Sequence, residues 1–243
     1  MADRHARHEN ICERQRQTLL RGHRGESSWR MIFCCERASA QAIQCAASDL
    51  MAIEHAPRRR FTGDEIERMA QIGILHEDDR VELIAGELRE MSPIGDRHVA
   101  CVVQLTDLCQ AAYGAQARIS VQNPVRLDAY DEPQPDLTLI RRTATYPAGK
   151  PLVQDLLLII EVADTSLAYD RGEKLPLYAG AGLPEVWLVD LTHDVIYVYR
   201  KPDRVAGTYS VVSRRRRGGQ VAPRFAPEHG LAVDEILGPA RPK

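Results

Sequence analysis

The stretch DLLLIIEVADTSLAYDRGEK, residues 155–174, limits the fold more than any other. Leu156 to Ile160 run without a polar break and end on Glu161. A short, continuous aliphatic run of this kind is the composition of a central strand buried on both faces. Such a strand needs packed layers on each side of its sheet, which is an α/β architecture. It also sets a problem, because a carboxylate at the end of a buried strand is costly unless it is paired, hydrogen-bonded or metal-bound.

The flanking sequence supplies the other elements. Thr62 is a predicted N-cap for GDEIERMAQIGIL, with Asp64 and Glu65 at the positive end of the helix dipole and Ile66, Met69 and Ile72 as its apolar stripe. VELIAGELREM reads as two short strands about Ala85-Gly86. HVACVVQLTDLCQAAYG reads as a helix whose buried side is Val99, Val102, Val103, Leu105 and Leu108, closing at Gly114. RISVQNPVRLD and QPDLTLIR read as strands, the second opening at Pro135-Asp136. After the central strand and a helical segment come strands PEVWLVDL and DVIYVYRK, a weaker strand pair through TYSVVSR and the segment near Val221, and a closing helix in LAVDEILG. No internal repeat is present, so one mixed-sheet α/β domain is expected over residues 58–238. Residues 1–57 are polar, rich in Arg and Gln, and expected to be a poorly ordered N-terminal extension.

At 243 residues and 44% hydrophobic composition the chain can build a real core. It has neither an apolar run of the ~20 residues needed to span a bilayer nor a signal-peptide layout. The expectation is a cytoplasmic protein with no membrane partner. Lys and Arg total 32 against 34 Asp and Glu, a net charge of -2, so nothing in the overall charge points to nucleic acid, although a local groove can still be basic. The one dense basic run, Arg214 to Arg217 before Gly218 and Gly219, reads as a solvated hairpin tip, with a phosphate-contacting loop as its functional alternative. The six cysteines form no paired C-x-x-C sets, which argues for reduced thiols and against a disulfide framework or zinc site.

The chemistry gathers on acids. Asp136 and Glu161 each sit at an end of a predicted strand, and if those strands are neighbours the two carboxylates converge. Such a pair repels unless a divalent cation lies between, and oxygen ligands with room for water suit Mg²⁺ or Mn²⁺. Lys174 completes the pattern, since an ammonium there can orient a water or neutralise charge building up on a phosphate. Asp170, four residues earlier, shares its face if the segment is helical, although Pro176 would remove a hydrogen bond to the Gly172 carbonyl. Each residue also has a quieter reading. Asp136 can cap a turn, Glu161 can pair with Arg171, Asp170 and Lys174 can form an exposed ion pair, Glu82 can sit on the solvated face of a strand, and His98 can cap a helix.

The order of motifs RVELIAGELREMSP, a histidine opening a helix, EPQPDLTLI, and LLLIIEVADTSLAYDRGEKLPLYAGAGLPEVWLVD resembles the Uma-two family of restriction endonucleases in the PD-(D/E)XK nuclease-like superfamily. The resemblance covers about residues 58–238 and implies a restriction-endonuclease-like core, a central mixed sheet flanked by helices. It implies Mg²⁺ or Mn²⁺ held by Asp136 and Glu161, with catalytic roles for Lys174 and Glu82 and a weaker transfer to His98, while Asp170 opens the matching D-x-x-x-K spacing. The usual superfamily lysine would stand two residues after Glu161, where this chain has Ala163, and Lys174 matches the lysine that takes over. The implied reaction is hydrolysis of phosphodiester bonds in nucleic acid, DNA foremost, with a homodimer expected by analogy. The competing readings are a catalytically inactive nuclease fold kept for binding DNA or protein, and a metal-dependent hydrolase of a smaller substrate.

Overall fold

The computed structural model describes residues 58–76, 78–142 and 149–240, so the expectation for residues 1–57 lies outside the described residues. Thr62 caps helix α1 (Gly63–Gln71) through a reciprocal box with Glu65. The predicted stripe does not pack as expected. Ile66 and Met69 are half-buried, and Ile72 is 72% exposed because the helix stops at Gln71 and leaves it on the cap.

Strands β1 (Val81–Ile84) and β2 (Glu87–Glu90) form the expected hairpin. Ala85 and Gly86 both take positive φ, 52° and 77°, the requirement of a tight turn that matches strand twist. Helix α2 (Asp96–Tyr113) follows and closes at Gly114. Its buried residues are Cys101, Val102, Leu105, Cys109 and Tyr113, a stripe at helical spacing, whereas Val99 and Val103 lie off that stripe and are 49% and 56% exposed.

Six strands make the central sheet: β3 (Ala117–Val121), β4 (Leu137–Arg141), β5 (Leu156–Ala163), β6 (Glu185–Asp190), β7 (Val195–Asp203) and β8 (Thr208–Arg216), in that spatial order. Only β5 and β6 run parallel, so the sheet is mixed. Their crossover is one helical stretch: α3 (Leu167–Tyr169), a π-helical turn over Asp170–Lys174, and α4 (Leu175–Ala181). The widening has a local cause. Pro176 has no N–H to give the Gly172 carbonyl, and the Leu175 N–H reaches back to Asp170. Gly182 ends the stretch at φ +87°.

Strand β5 is buried on both faces, as its composition requires. Leu158, Ile160 and Val162 join the core formed with α2 and the closing helix α5 (Val233–Leu237), while Ile159 and Ala163 join a second core beneath α4. The predicted pairing of TYSVVSR with the Val221 segment is corrected: β8 pairs with β7, and β9 (Gln220–Val221) pairs with β10 (Leu231–Ala232), the residues expected to begin the closing helix. The basic run is no hairpin tip either, because Arg214 to Arg216 end the edge strand β8. No described helix is long and apolar enough to cross a membrane.

Leu158 is fully buried in the layer between β5 and α2. Truncating it leaves a cavity there, so Leu158→Ala is expected to lower unfolding free energy by about 2–5 kcal/mol, read as a lower denaturant midpoint with unchanged slope.

Candidate active site

Pairing of β4 with β5 builds the site. Leu137 lies opposite Ile160, so the next residue on each strand brings Asp136 beside Glu161. The Asp136 N–H points at Glu161 Oε2 at 3.4 Å, and the Val162 N–H donates to Asp136 Oδ2 at 2.8 Å. Alternation along β5 turns Glu161 toward the helical crossover. There the π-helical turn buries both Asp170 and Lys174, which are 4% and 5% exposed.

Lys174 lies between two acids. Its Nζ is 3.3 Å from Glu161 Oε1 and 3.2 Å from Glu82 Oε2. Glu82 is buried in β1, not on a solvated face, and also accepts from the Tyr169 hydroxyl at 3.0 Å and the Gln134 N–H at 3.1 Å. Tyr178, one turn after Lys174, donates its hydroxyl to Glu161 Oε1. The Ser166 hydroxyl donates to Asp170 at 2.6 Å. On the other side of the acid pair, His98 Nε2 lies 3.0 Å from Asp136 Oδ2, and the Gln122 amide reaches Oδ1 at 3.3 Å. His98 therefore does not cap α2; the N-cap is Gly95.

Two more of the quieter readings fail on geometry. Asp170 and Lys174 are not an exposed pair, and Arg171 does not meet Glu161. Its guanidinium lies over the Tyr197 ring, 4.3 Å from the centroid, and 3.9 Å from Asp190.

Burial and crowding set the charge states. Loss of water pushes the Glu161 carboxyl up to about 8, with Asp170 and Asp136 adding repulsion and Lys174 opposing it. The Asp170 carboxyl is raised to about 6, again by burial, with Lys174 opposing. Burial alone would lower the Lys174 ammonium, but Glu161, Glu82 and Asp170 outweigh it and hold it firmly protonated.

Glu82, His98, Asp136, Glu161, Asp170 and Lys174, the six residues singled out from sequence, all line one cavity of about 540 Å³. Sequence reasoning missed Tyr169, Tyr178, Gln122 and Gln134. The spacing of Asp170, Lys174 and Tyr178 was a usable signal for one of them. Gln122 and Gln134 lie on loops, and Tyr169 in α3 acts through Glu82 far away in sequence, contacts that no local pattern encodes.

Among the described residues no three His, Cys, Asp or Glu side chains form a metal-binding cluster. Two carboxylates do converge, each with one oxygen loosely engaged: Asp136 Oδ1 meets only Gln122 at 3.3 Å, and Glu161 Oε2 only the Asp136 N–H at 3.4 Å. That donor set fits a hard divalent cation, which takes one or two carboxylates and fills its remaining positions with water.

The fold has a solved counterpart. The crystal structure of a "putative nuclease belonging to DUF820" from Anabaena variabilis ATCC 29413 superposes with a TM-score of 0.54 at 16% identity, covering 70% of this chain and 96% of that one. No curated protein matches the chain. The sequence model of the Uma2 family, described as "Putative restriction endonuclease", matches residues 64–234, and the chain belongs to that family.

Proposed function

We propose that the chain is a metal-dependent endonuclease that hydrolyses phosphodiester bonds of nucleic acid, with DNA as its substrate. The observation that carries this reading is the buried ammonium of Lys174 set between Glu161 and Glu82 in the lining of a cavity that Asp136 also lines. The family description and the nuclease counterpart point the same way. A fold kept only for binding phosphates gains nothing from several buried acids, which repel a polyanion.

Asp136 and Glu161 are the residues that would hold Mg²⁺ or Mn²⁺. When bound, such an ion polarises a phosphoryl oxygen and lowers the pKa of water. The chain's own groups do the rest. Lys174 offers N–H donors and a positive charge where charge grows on the phosphoryl oxygens, and its burial strengthens that attraction. Glu82, Tyr169 and Tyr178 fix the position of Lys174 and Glu161 by hydrogen bonds. His98 and Gln122 orient Asp136 from the opposite side.

The test is incubation with plasmid, single-stranded DNA and RNA in Mg²⁺ or Mn²⁺. DNA cleavage is expected from the native chain, and Glu161→Gln and Lys174→Ala should each reduce its rate by about 10²-fold or more at a temperature below the variant's own melt, Lys174→Ala being the less stable of the two. Undiminished cleavage by both variants would refute this site.

The raised Glu161 carboxyl gives a second check, on metal-free protein. Because the folded form holds its proton above the ordinary carboxylate range, the unfolded chain binds fewer protons between roughly pH 4.5 and 8. This contribution to stability is full below that range and lost as pH rises through it. Thermal melts should therefore show a native chain that weakens from pH 5 to 8 more steeply than Glu161→Gln does.

A further inference from the structure

The basic run that the cavity does not use has a defined place. Along β8 the side chains alternate. Arg215 pairs across to Ile196 on the face packed against α2, and Arg217 beyond the strand is tied to Asp194 and Asp234. Arg214 and Arg216 are exposed and face the other way, opposite Tyr197 and Val195.

That other face is the face of Glu161. Pairing runs Glu161, Leu188, Tyr197, Arg214 as one row from β5 to β8. At ~4.8 Å per strand, about 14 Å separates its ends. Tyr197 stands in the row as a platform for two guanidiniums, Arg171 at 4.3 Å and Arg214 at 5.5 Å from its centroid. Arg171 belongs to the same π-helical turn as Asp170 and Lys174, so the platform is built into the element that completes the cavity.

These charges are poorly compensated. Arg214 and Arg216 make no ion pair with a described residue, in contrast to Arg200 on Glu185 and Arg126 on Glu132. The Asp190 carboxylate, 3.9 Å from Arg171, is already held by the His193 ring and by the N–H groups of Thr192 and His193. Stacking on tyrosine orients a guanidinium; Arg171 also hydrogen-bonds the Tyr197 and Tyr199 side chains, while the exposed Arg214 keeps its donor edge for the two oxygens of a phosphate. A polyanion that must approach a cavity full of acids needs such contacts beside it. The ~14 Å span equals about four steps of a duplex strand at ~3.4 Å each.

We infer that Arg171, Arg214 and Arg216 form a sequence-independent surface that grips the nucleic-acid backbone a few phosphates away from the bond in the cavity. The inference rests on the nuclease reading and deepens it. The test is a salt titration of full-length protein binding a short labelled duplex in Ca²⁺, comparing the native chain, the double variant Arg214→Ala/Arg216→Ala, and Arg141→Ala at the exposed end of β4. The double variant is expected to bind about tenfold or more weakly at low salt, with a slope of log affinity on log salt shallower by about 1.8, two phosphate contacts at ~0.9 each, for duplexes of unrelated sequence. Arg141→Ala should match the native chain. Equal slopes for the native and double-variant proteins would overturn this surface, and the nuclease reading would stand if the native chain still cleaves. A native chain that binds no nucleic acid overturns both.

Discussion

The placement of one buried cation among acids governs the rest of the architecture. Lys174 is the only buried Lys or Arg among the described residues, and three buried carboxylates, Glu82, Glu161 and Asp170, surround it. Without it, those acids would have to be protonated or the corner would open, because isolated buried charge is far more expensive than any single packing contact. Three separate elements therefore have to meet: the hairpin strand carrying Glu82, the central strand carrying Glu161, and the crossover carrying Asp170 and Lys174. The sheet register supplies Asp136 from a fourth. What looks locally like a misplaced charge on the most apolar strand is the point where the chain's layers are tied together.

The crossover shows how local sequence serves that constraint. A regular α-helix through Gly172 and Pro176 would lack the hydrogen bond to the Gly172 carbonyl, and at this point the chain takes a π-helical turn in which the Leu175 N–H reaches Asp170. It also turns Asp170 and Lys174 inward and Arg171 toward Tyr197. One irregular turn thus links the acid corner to the basic, aromatic face beside it, which is how a chain with net charge -2 carries a local cationic face.

Much of this was legible in the sequence, for physical reasons that differ by element. The aliphatic run of β5 could only be an interior strand, and the Ala85-Gly86 turn and the Thr62 cap are local signals that need no tertiary context. Of the six candidate residues, Asp136 and Glu161 could be named because acids at strand ends stand out against apolar neighbours, Lys174 and Asp170 from their spacing on the segment that follows, and Glu82 and His98 from the family resemblance. Burial of Val99 and Val103 was misjudged because an apolar residue on a helix reports no direction until the helix is docked. The partner of β8 and the path of the arginine run depend on which strand comes home to which edge, a non-local choice. Tyr169, Gln122 and Gln134 were invisible for the same reason: each acts through a contact with a residue far away in sequence.

Under the proposed function the corner is a cation site held by Asp136 and Glu161 and not merely a structural cluster of charges. Calorimetric titration of the folded, metal-free chain with Mn²⁺ separates the two. Saturable Mn²⁺ binding is expected, lost in Glu161→Gln and in Asp136→Asn while both variants stay folded. A native chain that takes up no Mn²⁺, or variants that bind it as the native chain does, would contradict it.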